Sequence, residues 1–215
     1  MTALFSPLLV VTDRHQGQRP LAETVAQALE GGARWIWLRE RDLARAERRS
    51  LGRRLRELTV QAGAGLSVGD DIALAEEIGA DGVQMRTIDG IGAARAKLGD
   101  DALIGLSAHS PDEVRQAARA GADYATLSPV FPSDSKPGHG PALGLEAIGA
   151  AAAHGIAVLA LGGVALRRVA RCRAAGAAGI AVMGPIMRAR SPARCVAAIL
   201  HEATAAADRQ RLTES

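Results

Sequence analysis

At 215 residues with 48% hydrophobic side chains, the chain is long enough to bury a sizeable core as one domain spanning residues 1–215, and too apolar to be disordered or collagen-like. Its 26 basic and 23 acidic residues leave a net charge of +3, far from the positive field of a nucleic-acid binder, and five aromatics are too few for single-strand stacking platforms. Two cysteines without metal-ligand spacing, no signal-like leader and no long uncharged span point to a cytoplasmic protein away from membranes; Lys97 and Lys136 are its only lysines.

Short apolar runs alternate with longer helical patterns from end to end, without a linker. The first strand is expected over 8–12 and a helix over 21–29. The second strand, 34–38, runs into Trp37-Leu38-Arg39-Glu40-Arg41, where alternation sends Trp37, Arg39 and Arg41 to one side and Leu38 and Glu40 to the other. Two guanidiniums at one strand end suit a bidentate anion such as pyrophosphate. The alternative is that Arg39 pairs with Glu40 or a loop acid and only stabilises the rim. The helix expected over 45–58 carries Arg45, Arg48, Arg49, Arg53, Arg54 and Arg56, diluted by Glu47 and Glu57, and reads as a solvated face.

The third strand, 65–68, ends at Gly69-Asp70-Asp71, and the fourth, 82–85, at Arg86-Thr87-Ile88-Asp89. Adjacent parallel strands lie about 4.8 Å apart, so carboxylates at their ends can share one hard cation such as Mg²⁺. Asp71 and Asp89 each precede a helical pattern and equally suit N-caps. The fifth strand, 102–107, leads to Ser110-Pro111-Asp112-Glu113, read as an N-cap, a first-turn proline and a capping box for a helix over 111–120. Ser107 lies deeper, where its hydroxyl can bind a phosphate oxygen. His109 is a candidate base, although a lone loop histidine is more often solvated.

The sixth strand, 124–127, is followed by a glycine- and proline-rich loop over 128–141, long enough to be a functional lid. Within it Ser133 and Ser135 beside Lys136 suit a phosphate, and His139 between glycines reads as mobile. After a helix over 145–153, the seventh strand, 157–161, ends at Gly162-Gly163, where a helix begins; the eighth, 179–183, ends at Gly184-Pro185. Backbone N–H groups after strands seven and eight form the recurrent phosphate corner of eight-stranded barrels. The polar stretch 205–215 is expected to fray.

Eight buried strands with helical crossovers predict an α/β chain closed as a (β/α)8 TIM barrel in a single domain. The runner-up is an open doubly wound sheet, which normally uses five or six strands. Turns at Gly31-Gly32-Ala33, Gly79-Ala80-Asp81, Gly121-Ala122-Asp123 and Gly176-Ala177-Ala178 precede strands, so the chemistry belongs at the opposite, C-terminal strand ends.

With these residues placed, the chain resembles the thiamine phosphate synthase and TenI superfamily over roughly residues 8–203. The resemblance is carried by Val11-Thr12-Asp13, Leu38-Arg39-Glu40-Arg41, Ala80-Asp81-Gly82-Val83, Ile104-Gly105-Leu106-Ser107, Ala122-Asp123-Tyr124, Ser128-Pro129-Val130-Phe131-Pro132 with Ser133, Ser135 and Lys136, and Leu161-Gly162-Gly163-Val164. It implies a transferase of thiamine biosynthesis that joins hydroxymethylpyrimidine diphosphate to thiazole phosphate and releases pyrophosphate with Mg²⁺. By that resemblance Arg39, Arg41 and Lys136 hold the diphosphate, Asp70 and Asp89 ligate Mg²⁺, and Ser107 contacts the pyrimidine or its leaving group. Ser133, Ser135, Gly162, Gly163 and Gly184 hold the thiazole phosphate.

The chain departs from the synthase pattern at the pyrimidine end. Gln-x-Arg-x-Lys reads Trp37-Leu38-Arg39-Glu40-Arg41, an expected Asn is Gly69, and an expected His is Gln84. Trp37 and Gly69 thus stand where an amide would read the pyrimidine, and the indole reshapes or fills that pocket. Arg41 and Gln84 lean toward the superfamily's thiazole tautomerase, but the histidine of its Gly-His-Val-Phe motif is Pro129 here, leaving His109 or His139 to serve. A non-catalytic paralogue that binds thiazole or thiamine phosphate is a third reading. All three take small phosphorylated molecules, with no nucleic acid or membrane, and admit a homo-oligomer.

Overall fold

The computed structural model describes residues 3–132 and 142–214. Four to six apolar residues suffice to cross a barrel wall, and the eight strands have that length: β1 Leu8–Val11, β2 Trp35–Leu38, β3 Gly65–Gly69, β4 Gly82–Met85, β5 Leu103–Ala108, β6 Tyr124–Leu127, β7 Ala157–Ala160 and β8 Gly179–Val182. All neighbours are parallel, and β8 pairs with β1, so the sheet closes in sequence order as the predicted barrel rather than the open sheet. Helices α1 Leu21–Glu30, α2 Arg45–Gln61, α3 Ile72–Glu77, α4 Gly90–Leu98, α5 Pro111–Arg119, α6 Glu146–Ala152 and α7 Val169–Ala174 supply the crossovers. After β8 come the one-turn α8, Gly184–Met187, and α9, Pro192–Glu214.

Period-two alternation divides each strand between two cores. Leu8, Val10, Ile36, Leu38, Leu66 and Val68 pack outward against the helices, while Leu9, Val11, Trp35, Trp37, Leu103, Tyr124 and Leu159 fill the barrel. Phe5, just before β1, meets Trp35 edge-on at 5.7 Å, and Trp35 meets Tyr124 at 4.7 Å. Space for these rings comes from glycines on the same face: a Cβ on Gly105 would lie 2.2 Å from the Tyr124 ring and one on Gly65 2.5 Å from Phe5. This aromatic cluster fills the barrel interior at its N-terminal end, away from the C-terminal mouth.

The four glycine turns before strands are left-handed as expected, with φ +98° at Gly32, +63° at Gly79, +88° at Gly121 and +99° at Gly176. In two of them the following aspartate is structural: Asp81 accepts the Leu66 N–H and pairs with Arg56, and Asp123 accepts the Ile104 N–H and pairs with Arg95. Arg56 is one of five α2 arginines tied to carboxylates, with Arg48 on Asp71, Arg49 and Arg53 on Glu77, and Arg54 on Glu57. The helix is therefore neutralised by its neighbours rather than displaying a bare cationic stripe.

One expectation is corrected. Gly162 and Gly163 do not open a helix: both are left-handed turn residues, and the helix begins later, as a 3₁₀ turn over Leu166–Arg168 that leads into α7. Helix α9 runs on as far as Glu214 and packs on α1 and α7, with Ala206 buried. Among the described residues no helix is long and apolar enough to cross a membrane.

Candidate active site

The cationic side of the mouth is built by β2. Its inward register, set by Trp37 against Val11 and Ser67, carries Arg39 over the rim. The Arg39 N–H donates to Thr12 Oγ1 at 3.0 Å, and its guanidinium lies 3.8 Å from Met183 Sδ and 4.0 Å from Asp13 Oδ2. Glu40 does not neutralise it. That carboxylate is buried on the opposite face, where it accepts the Arg14 backbone N–H and the Arg14 guanidinium at 3.1 Å. Arg14 also grips Asp42 through two 2.7 Å hydrogen bonds, which together with His15 hold the Asp42 carboxyl well below the usual carboxylate range. The acids next to Arg39 in sequence are thus committed elsewhere.

Arg41 joins Arg39 and a third guanidinium, Arg86 beyond β4. Partial burial, followed by the fields of Arg86 and Arg39, pushes Arg41 below the ordinary arginine value, with Asp70 opposing. Crowding like charges around one carboxylate leaves an excess of positive potential that a polyanion would relieve. Arg86 was not singled out in the sequence because its neighbour Asp70 is sixteen residues away and is reached only through the β3–β4 pairing.

Asp70 sits at the end of β3 with φ +53°, the one described non-glycine residue in the left-handed region. Such a conformation persists where its surroundings impose it. Its N–H donates to the Gln84 carbonyl, its Oδ1 accepts the Arg86 N–H at 3.1 Å, and Oδ2 lies 3.9 Å from the Arg86 guanidinium. Both flanking residues are clamped by Arg48, which donates to the Gly69 carbonyl and to Asp71 Oδ2. Asp71 takes the capping role allowed for it, accepting the Leu74 N–H at 2.9 Å. Asp89 makes no capping hydrogen bond and is exposed at the rim, so its carboxylate remains available. Among the described residues no group of three or more His, Cys, Asp or Glu side chains could hold a metal by itself.

Arg48, read from sequence as a solvated helix residue, is buried and positions the Asp70 loop. Arg48→Met is expected to lower unfolding stability by about 2 kcal/mol, the scale of hydrogen bonds to a charged group. Urea denaturation checks this, and an unchanged midpoint would refute the clamp.

Across the mouth, Ser107 on β5 accepts from Gln84 Nε2 at 3.2 Å, and the same nitrogen reaches Thr126 Oγ1 at 3.3 Å. One amide therefore orients hydroxyls on two neighbouring strands. Beyond them the Ser110–Glu113 cap forms with the Glu113 N–H on Ser110 Oγ, while the Glu113 carboxylate receives the His109 N–H at 2.7 Å. His109 Nδ1 contacts the Ser128 carbonyl at 2.7 Å. A carbonyl can only accept, so Nδ1 carries the proton and Nε2 is left as the acceptor in the neutral ring.

The glycines after β7 and β8 line the remaining arc. The Phe131 N–H donates to the Gly162 carbonyl at 3.1 Å, and a Cβ on Gly163 would fall 2.6 Å from the Pro132 carbonyl, so the pair lets the loop after β6 pack down. Two unanticipated cations accompany them. Arg168 donates to the Gly163 carbonyl at 2.6 Å and covers the Phe131 ring, and the Arg188 guanidinium lies over Gly184. Ser133, Ser135, Lys136 and His139 lie outside the described residues. Burial pushes the Cys172 thiol up to about 11, so it is no candidate nucleophile.

The family model described as thiamine monophosphate synthase matches residues 8–186. The chain belongs to the thiamine monophosphate synthase family. It is 39% identical over 183 residues to a thiamine-phosphate synthase of Moorella thermoacetica, covering 84% of this chain and 87% of the relative. It is 40% identical over 194 residues to one from Chromobacterium violaceum, covering 89% and 93%. Among solved structures, thiamine phosphate pyrophosphorylase from Pyrococcus furiosus superposes with a TM-score of 0.84 at 31% identity, covering 94% of this chain and 96% of that one. As a member of the thiamine monophosphate synthase family the protein is an enzyme of the transferase class, and the strand ends that carry Arg39, Asp70, Ser107 and Gly163 are the mouth of its barrel.

Proposed function

We propose that the enzyme joins hydroxymethylpyrimidine diphosphate to thiazole phosphate and releases pyrophosphate. The observation that carries this reading is the cluster of Arg39, Arg41 and Arg86 at the mouth, with Asp70 beside Arg86, left without the neutralisation that Glu40 would have supplied. Breaking the C–O bond to the diphosphate builds positive charge on the pyrimidine methylene and negative charge on the departing group, and fixed cations at the rim stabilise the latter. The thiazole nitrogen then forms the new C–N bond, so no protein nucleophile is needed and catalysis rests on positioning.

In this reading Arg39 and Arg41, with Lys136, bind the diphosphate. Ser107 is oriented by Gln84 toward the pyrimidine. Gly162, Gly163 and Gly184, with Ser133 and Ser135, receive the thiazole phosphate, and Arg168 and Arg188 add positive charge nearby. Asp70 and Asp89 fit Mg²⁺: both are hard oxygen donors, one preset by its backbone and one free at the rim, and Mg²⁺ commonly takes only one or two carboxylates with phosphates and waters completing its shell. When bound there the ion would neutralise charge on the leaving diphosphate.

The test incubates purified protein with both substrates and Mg²⁺; thiamine phosphate is expected, and its absence with intact substrates would refute the reading. Asp70→Ala should raise the Mg²⁺ concentration for half-maximal rate by at least about tenfold, since losing even an outer-shell partner has that effect. An unchanged Mg²⁺ titration would remove Asp70 from the metal site. One observation favours a second reading, the thiazole tautomerase: the Ser128 carbonyl fixes the His109 ring through Nδ1, which makes Nε2 its acceptor nitrogen. Isomerisation without metal that His109→Gln abolishes would establish it.

A further inference from the structure

Glu40 is not the only acid within reach of Arg39. Asp13, two residues beyond β1, has its Oδ2 only 4.0 Å from Arg39 Nη1. A shift of about 1 Å would close a charged pair, since such hydrogen bonds run to about 2.8 Å. An anion would then have to displace the carboxylate before it could take the guanidinium.

The loop after β1 holds Asp13 back. Residues 13–16 form a turn in which the Gln16 N–H donates to the Asp13 carbonyl at 3.2 Å and the His15 N–H donates to Asp13 Oδ1 at 3.1 Å. The turn folds the Gln16 side chain over Asp13, where Nε2 donates at 2.8 Å to Oδ2, the oxygen that faces Arg39. The other end of the amide is fixed from beyond β8: Arg188, whose guanidinium lies over Gly184, donates to Gln16 Oε1. A guanidinium can only donate, so it takes the carbonyl end and leaves the NH2 for Asp13. Gly17 lets this loop sit close to α8, since a Cβ there would lie 3.3 Å from the Met187 carbonyl.

We infer that Gln16 is a positioning residue: it satisfies Asp13 with a neutral donor, which keeps that carboxylate off Arg39 and leaves the guanidinium open to a phosphorylated anion. Asp13 is largely enclosed, so its Oδ2 needs a donor, and Gln16 Nε2 and Arg39 Nη1 both stand beside it. Removing the first turns the oxygen to the second. One turn thus serves Arg39 twice, with Arg14 drawing off Glu40 and Gln16 drawing off Asp13. The inference rests on the reading that Arg39 binds a diphosphate, and Gln16 acts on that anion only through Asp13.

The test is calorimetric titration with inorganic pyrophosphate in the presence of Mg²⁺. Gln16→Met is expected to weaken binding about fivefold, the upper end for one surface ion pair gained by the competitor. Asp13→Asn keeps an acceptor for the His15 N–H and removes the competing charge, so adding Gln16→Met to it should have no further effect on binding. A loosened turn would weaken binding alike with or without the Asp13 charge, so this rescue separates positioning from a structural role. Each variant is expected to keep its thermal midpoint, because the backbone bonds of the turn remain. Equal weakening in both backgrounds, or none in either, would overturn the inference and leave the diphosphate reading of Arg39 in place. If wild type binds no pyrophosphate, both fall. If the rescue appears but no thiamine phosphate forms from the two substrates, the synthase reading fails and the role of Gln16 stands.

Discussion

Arg39→Met is expected to lower kcat/KM by roughly 100-fold or more while leaving thermal stability unchanged, the size of loss seen when one charge-stabilising donor is removed from a reacting centre. The stability half follows from its contacts. The backbone of Arg39 is held by Thr12, its carboxylate neighbour Asp13 lies 4.0 Å away, and that carboxylate already accepts from the His15 N–H and the Gln16 amide. Removing the guanidinium therefore breaks no strong internal bond. Arg14→Met is the contrasting variant: it strips the partner from buried Glu40 and should cost stability before it affects turnover. Steady-state kinetics with thermal melts separates the two, and a change below about threefold for Arg39→Met would remove it from the site.

What could be read in the sequence depended on how far each interaction reaches. Strand positions were legible to within a residue because a short unbroken apolar run is a local feature, and strands buried on both faces consist of one. The Ser110-Pro111-Glu113 cap and the left-handed glycines before strands were legible for the same reason, as each needs only its next few neighbours. The choice between cap and ligand for two aspartates was not. It turned on whether a side chain bends toward its own helix, as Asp71 does, or leaves that helix uncapped, as Asp89 does.

Long-range partners were less legible still. Glu40 is taken by Arg14 across twenty-six residues, and Arg48 reaches twenty-three residues to Asp71, pairings that exist only because parallel strands bring successive loops to one rim. Arg168 and Arg188 lay in arginine-rich helical text with nothing to distinguish them until the glycines beneath them were placed. The departures at Trp37, Gly69 and Gln84 were visible as letters, but their meaning lay in packing: an indole over a residue with no side chain.

That packing makes the departures at Trp37 and Gly69 interdependent. Gly69→Asn alone is expected to destabilise the fold by about 3 kcal/mol, because its Cβ would enter within 2.9 Å of Trp37 Nε1 and 3.2 Å of the Leu38 carbonyl, and the indole is enclosed in the barrel with little room to shift. Trp37→Gln alone should cost a similar amount through the lost ring. Together they remove the clash and refill part of the space, so the double variant should be more stable than the sum of the singles by about 1 kcal/mol or more, read from urea midpoints. Additivity within about 0.5 kcal/mol would mean that the indole and the glycine do not depend on each other. Coupling would identify Gly69 as the residue that admits Trp37 to the wall, and the two changes as one rearrangement of the pocket.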